Sequence, residues 1–161
     1  MLQMQQLDTP SVSNDKAILI NSKVLNEQRS IWIHLPSDYY TTTRTYPVIY
    51  LLDGEGHFGY VSTLADYLSD YDRNRIPEMA VVAIHNVDRT RDFTPLHSLI
   101  FGGKIDSARM ATTGGGVKFL QFIQTELVPF IDSNYRTQPY RILAAHSLVS
   151  IPRYKCHCSP R

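Results

Sequence analysis

Three short stretches constrain the fold more than anything else in this chain. Val48–Leu52, Ala80–Ile84 and Ile142–Ala145 are continuously apolar. A run with no polar side is expected to be a strand covered on both faces, as in a parallel sheet. Between the first two runs, Phe58, Val61, Leu64, Ala65 and Leu68 recur at helical spacing. Between the second and third, Phe119, Ile123, Leu127 and then Phe130 or Ile131 do the same,. Pro129 is expected to bend or interrupt that second helix. The alternation predicts an α/β fold with a mostly parallel sheet, its helices laid on the faces by right-handed crossovers.

Ahead of this core, Ala17–Leu25 and Ser30–Leu35 read as two antiparallel strands joined by a loop at Asn26, Glu27 and Gln28,. In the second, Ile31, Ile33 and Leu35 alternate with Trp32 and His34, which suits a sheet with unlike faces,. The polar stretch 1–16 is expected to be loose. Tyr39, Tyr40 and Arg44 read as surface residues of a turn-rich loop.

Composition narrows the function. With 161 residues, 43% hydrophobic and 19% charged, the chain has the make-up of one globular domain,. A net charge of +1 with scattered basic residues argues against nucleic acid and against an anionic membrane surface,. No apolar run is long enough to span a bilayer, and residues 1–14 show no apolar signal-peptide region,. The location expected from this is cytoplasmic.

Sheets of this kind bind ligands beyond the carboxyl ends of their strands. The segments to inspect are therefore 53–59, 85–97 and 146–150. In the last, the strand Arg141-Ile142-Leu143-Ala144-Ala145 runs directly into His146-Ser147-Leu148, the setting of a nucleophile elbow,. Such a turn lifts the serine hydroxyl clear of the sheet and aims the next backbone N–H at a developing oxyanion. His146 is expected to pack away from the serine. Asp88, Arg89, Arg91 and Asp92 form either a surface ion-pair cluster or a substrate contact. Gly114-Gly115-Gly116 reads as a flexible entry to a helix, since it lacks the spacing of a phosphate loop,. Cys156-His157-Cys158 lacks zinc-ligand spacing, and no metal site is expected,.

Several segments together resemble an esterase family of the α/β-hydrolases that includes esterase D-like and siderophore-ester hydrolases. They are Tyr46-Pro47-Val48-Ile49-Tyr50-Leu51-Leu52-Asp53-Gly54, Asp88-Arg89-Thr90-Arg91-Asp92-Phe93-Thr94-Pro95, Gly114-Gly115-Gly116 before Phe119-Leu120, Glu126-Leu127-Val128-Pro129-Phe130-Ile131-Asp132, and Asn134-Tyr135-Arg136-Thr137 leading to Arg141–Leu148. The resemblance covers residues 17–148. It implies an α/β-hydrolase fold with two N-terminal antiparallel strands, and hydrolysis of a small-molecule carboxylic ester or thioester through an acyl-serine. It makes Ser147 the nucleophile and Leu148 one backbone oxyanion donor. Glu55 would be the second donor, with Gly54 as the alternative. Arg89, Arg91 and Asp92 would line the substrate mouth, and neither metal nor organic cofactor is implied.

The pattern departs after the elbow. Val149-Ser150 stands where the family has two glycines, and residues 149–161 no longer resemble it. The family continues with further strands, a carboxylate and a histidine. The expectation is thus a domain truncated after the nucleophile strand, of low or no activity, which self-associates through an open sheet edge. The alternative is a non-catalytic binding module built on the same partial sheet.

Overall fold

A computed structural model describes residues 4–7, 14–70 and 72–146. In chain order its elements are β1 (Met4–Leu7), β2 (Asp15–Ser22), β3 (Glu27–His34), β4 (Tyr46–Leu51), α1 (Gly54–Ser69), β5 (Ala80–Ile84) and α2 (Arg89–Asp92). A small hairpin follows, β6 (Ile100–Phe101) and β7 (Lys104–Ile105). A long helical segment then comprises α3 (Gly116–Phe122), a π-turn (Ile123–Leu127) and α4 (Val128–Asn134), and leads to β8 (Thr137–Ala144).

Among the described residues the main sheet has six strands in the order β1-β2-β3-β5-β4-β8. It is mixed. β4 lies parallel to β5 and to β8, with Leu51 opposite both Ala83 and Ala144. β1, β2 and β3 pair antiparallel to one another, and β3 pairs antiparallel to β5. The antiparallel portion is one strand larger than expected, because residues 4–7, read as loose, pair with 17–20. Backbone pairing needs no apolar pattern, so the polar sequence there concealed the strand.

Burial follows from what covers each strand. All of β5 is buried, and so is β4 apart from Ile49. On one face, Val48, Tyr50, Val82 and Ile84 pack with Phe119, Phe122, Ile123, Leu127 and Ile131 from the α3–α4 segment. On the other, Leu51, Val81 and Ala83 pack with Phe58 and Ala65 of α1. Each Val, Leu, Ile or Phe among them contributes roughly 1.5–3 kcal/mol through lost apolar exposure. β2 and β3 instead alternate, with Ile18, Ile20, Ile31 and Ile33 in the core.

Local chemistry moved several boundaries. The first hairpin turns at 23–26, with Asn26 at φ 54°, so Glu27 and Gln28 belong to β3. The Glu126 carboxylate caps this turn, accepting from Lys23 N (2.9 Å), Val24 N (3.2 Å) and Ser22 Oγ (2.6 Å). Pro129 does not break its helix. A proline lacks the N–H and collides with the carbonyl four residues back. The π-turn just before it widens the ladder, with Val128 N–H donating to Ile123 O, and the segment continues to Asn134,. Tyr39 is in the core rather than on the surface. Its hydroxyl accepts from Arg136 N–H at 3.1 Å, and the Arg136 guanidinium lies 4.0 Å from its ring.

β8 is the outer strand on its side. Tyr140, Ile142 and Leu143 are exposed on it at 62%, 37% and 44%, an apolar edge with no neighbour among the described residues. Among the described residues no helix is long and apolar enough to cross a membrane.

Candidate functional site

The carboxyl ends of β4, β5 and β8 meet at one end of the sheet, and the segments that follow them form a connected polar cluster. β4 is followed by Asp53, which turns the chain into α1 from the left-handed region at φ 55° and ψ 43°. Asp and Asn tolerate this region better than most side chains do. Gly54 comes next. A Cβ there would lie 3.0 Å from Ala83 Cβ, Ile84 N and Ile84 O, so any larger residue would push the start of α1 a few tenths of an ångström away from β5.

The first N–H groups of a helix have no intrahelical acceptor and carry the positive end of its dipole. Gly54 and Glu55 supply two of them at this point. The Glu55 carboxylate folds over its own N–H and also accepts from Asn86 N (3.2 Å) and Asn86 Nδ2 (2.6 Å). Burial raises its pKa, but these hydrogen bonds outweigh it and hold the group below the ordinary value.

Asn86 follows β5 and donates to Asp53 Oδ1 as well, at 2.7 Å. Arg89 opens α2 and grips the same carboxylate with two bonds, Nε to Oδ1 at 2.7 Å and Nη2 to Oδ2 at 3.0 Å. Its Nη2 also donates to the His146 carbonyl at 3.1 Å. Burial alone would raise the Asp53 pKa. The Arg89 and Asn86 hydrogen bonds reverse that and keep the carboxyl below its usual range. Leu52 N donates to Ala144 O at 2.9 Å, which joins the end of β8 to the same turn.

Arg91 and Asp92 do not face this mouth. Asp92 is fully buried, with Oδ2 accepting from Arg29 Nη2 at 2.6 Å and Oδ1 from Arg91 Nε at 2.9 Å. Arg91 holds Glu27 with two bonds of 3.0 and 2.8 Å. Arg29, also fully buried, donates to His85 O at 3.3 Å and pairs with Glu27. In place of the substrate contact expected of them, Arg91 and Asp92 bolt the loop onto β3. Their carboxylate and guanidinium groups are consumed by one another and by β3. Of the three residues assigned to the mouth, Arg89 alone reaches it, with a side chain 35% exposed.

The three glycines are not a flexible entry. Gly114 has φ 104° and donates to Thr94 Oγ1. A Cβ on Gly115 would sit 2.5 Å from Arg91 Cγ, and one on Gly116 would sit 2.9 Å from Thr94 O. The glycines let α3 press directly against the 88–95 loop, fixing it from behind. His146 is exposed, with its ring 5.7 Å from that of His57, so it lies against α1 on the surface rather than in a packed interior.

Ser147 and Leu148 lie outside the described residues, as does Cys156-His157-Cys158. β8 ends at Ala144, three residues before Ser147, at the end of the sheet where the cluster stands. Two depressions of about 350 and 550 Å³ lie at the opposite end, near Tyr46 and Glu78. The charged cluster at the carboxyl ends is the stronger candidate, because sheet, helix terminus and loop converge there.

Sequence reasoning missed Arg29, Glu27, Asp53 and Asn86 as members of the network. One signal was present: Arg29 shares the inward parity of Ile31 and Ile33, and a buried arginine demands a carboxylate,.

Comparison with known proteins agrees with this architecture. An IroE-like serine hydrolase from Shewanella oneidensis is 36% identical, superposes with a TM-score of 0.77, and is matched over 92% of this chain and 43% of its own. The siderophore hydrolase EstA from Aspergillus nidulans, at 22% identity, shares the fold with a TM-score of 0.70 over 88% of this chain and 54% of its own. The protein YbbA of Bacillus subtilis (strain 168) is 27% identical over 108 residues, 66% of this chain and 40% of YbbA. The chain thus spans less than half the length of YbbA and of the Shewanella hydrolase. The fold is that of the α/β-hydrolases. A family model described as "Putative esterase" matches residues 22–150, and the chain belongs to that esterase family.

Proposed function

We propose that the chain carries the nucleophile half of a serine ester hydrolase, with Ser147 as nucleophile and a small-molecule carboxylic ester or thioester as substrate. The observation that carries this reading is the course of β8. It runs parallel beside β4 and ends level with the N-terminus of α1, and the His146 carbonyl that follows it is bonded by Arg89 at that end of the sheet. A serine on the turn after such a strand can attack a carbonyl. The N–H groups of Leu148 and Glu55, or of Gly54, would then receive the oxyanion. For Glu55 to serve, its carboxylate must swing off its own N–H. The likeness to a serine hydrolase at 36% identity supports the chemistry.

Acylation also needs a base for the serine proton. Among the described residues, the histidines near the carboxyl ends are His57, His85 and His146, and none has a carboxylate hydrogen-bond partner. The reading therefore includes low turnover for the chain by itself. Loss of the base in serine hydrolases leaves roughly 10³–10⁴-fold catalysis over water. A second reading, a non-catalytic module that binds a partner through β8, is favoured by the exposed Ile142 and Leu143 on an edge that is unpaired among the described residues,.

A fluorophosphonate probe with mass mapping of the adduct separates the two. Slow labelling confined to Ser147 is the expected result. A folded chain that stays unlabelled, with a partner protecting the β8 amides from exchange, would sink the catalytic reading.

A further inference from the structure

Arg89 bonds the segments that follow two different strands, β4 and β8, and the directions of those bonds are informative. Its Nε and Nη2 close a two-bond fork on Asp53, the residue whose left-handed turn starts α1. The same Nη2 bonds the carbonyl of His146 at 3.1 Å. That carbonyl belongs to the peptide unit leading into position 147. Peptide units are planar, so a fixed carbonyl direction also fixes the direction of the next N–H. Asn86 supports the fork from β5 through Asp53 Oδ1, and the buried ring of Phe93 lies 5.0 Å beneath the guanidinium.

We propose that Arg89, held by Asp53, is a positioning residue: it locks the His146–Ser147 peptide against the turn that carries the α1 N–H donors. The proposal rests on Ser147 being the nucleophile. The clamp sets the distance between attacking oxygen and oxyanion donors before substrate arrives, which is the kind of preorganisation that catalysis on a static sheet requires. A lysine cannot replace it. One ammonium is a point charge, whereas the guanidinium spans a carboxylate and a carbonyl in fixed directions.

The test uses the full chain, its R89K and D53N variants and the double variant, labelled at Ser147 with a fluorophosphonate. Inactivation rate and probe affinity are measured separately. The maximal inactivation rate is expected to fall about 10–100-fold in each single variant, in line with the cost of a displaced reacting group. Probe affinity should stay within about twofold, and the double variant should be no slower than the worse single one, since the pair acts as a unit. Weakened probe affinity at an unchanged maximal rate would make Arg89 a substrate ligand instead and overturn the proposal. So would additive losses in the double variant. If the wild-type chain is not labelled at all, the esterase reading fails and hydrogen exchange decides the clamp. R89K should then speed exchange in peptides covering 51–54 and 143–146 while 80–84 keeps its protection. Unchanged exchange at 143–146 would overturn the clamp.

Discussion

Arg89 and Arg91 stand two residues apart on one turn of helix, yet they belong to different parts of the molecule. Arg91 joins Arg29, Glu27 and Asp92 in a cluster behind the loop, where Arg29 and Asp92 are sealed from water. Arg89 joins Asp53, Asn86 and Glu55 at the mouth, a third exposed and facing the end of β8. The first cluster carries charge to hold a loop in shape. The second holds polar groups near a helix terminus, where chemistry can use them. Two arginines in one motif thus brace different parts of the molecule, Arg91 the loop on β3 and Arg89 the turns after β4 and β8, by the direction each side chain takes.

The sharpest way to break this division is to compare carboxylates. Asp92→Ala removes one of the two carboxylates that face the buried Arg29, leaving Glu27, and should cost about 3 kcal/mol of folding stability in a denaturant titration,. Asp53→Asn, next to a partly solvated arginine, should cost about 1 kcal/mol or less. Equal losses would mean that both clusters are structural.

The glycines sharpen the same contrast. Gly116→Ala pushes a methyl to within 2.9 Å of Thr94 O behind the loop. It should destabilise by about 1–3 kcal/mol, as overpacking does. Gly56, on α1 near the mouth, has nothing within 4 Å of its missing Cβ. Gly56→Ala should stabilise by about 0.5–1 kcal/mol, with thermal unfolding as the readout for both.

The smallest effect is expected at an ion pair remote from both clusters. His34 bridges Asp15 (2.6 Å) and Asp66 (3.0 Å), tying β3 to β2 and α1. Burial tends to lower its pKa, but the hydrogen bonds to Asp66 and Asp15 win and raise it above 6.5. The folded state therefore binds the proton more tightly than the unfolded one. The stabilisation is complete below 6.5 and fades as pH rises through the folded value. His34→Gln should cost up to about 1 kcal/mol at pH 5.5 and less at pH 8.5, because both carboxylates are well exposed. A pH-independent loss would indicate packing rather than charge.

Much of this was legible in the chain itself. Val48–Leu52 and Ala80–Ile84 could be read as central strands because buried runs carry no polar side chain, and the structure buries them. The periodicity of Phe58, Val61, Leu64, Ala65 and Leu68 located α1, since a helix with one covered face must repeat near 3.6 residues, although Leu64 turns out exposed,. Less legible was β1, whose pairing is purely backbone, and the π-turn that accommodates Pro129. The likeness of the combined segments to an esterase family was also readable, and the family match over residues 22–150 agrees with it.

By itself, then, the sequence determined the order of the core strands and helices, the parallel core, and the arrival of β8's carboxyl end beside those of β4 and β5. All three follow from local periodicity and chain direction. Only the tertiary structure decided which charges in the 88–92 segment face the mouth, why three successive glycines are needed behind it, and that Arg89 reaches the His146 carbonyl. Those facts depend on partners 20 to 64 positions away in the chain. No local pattern encodes them, because hydrogen bonding and close packing are satisfied in space, after the sheet has brought distant strand ends together.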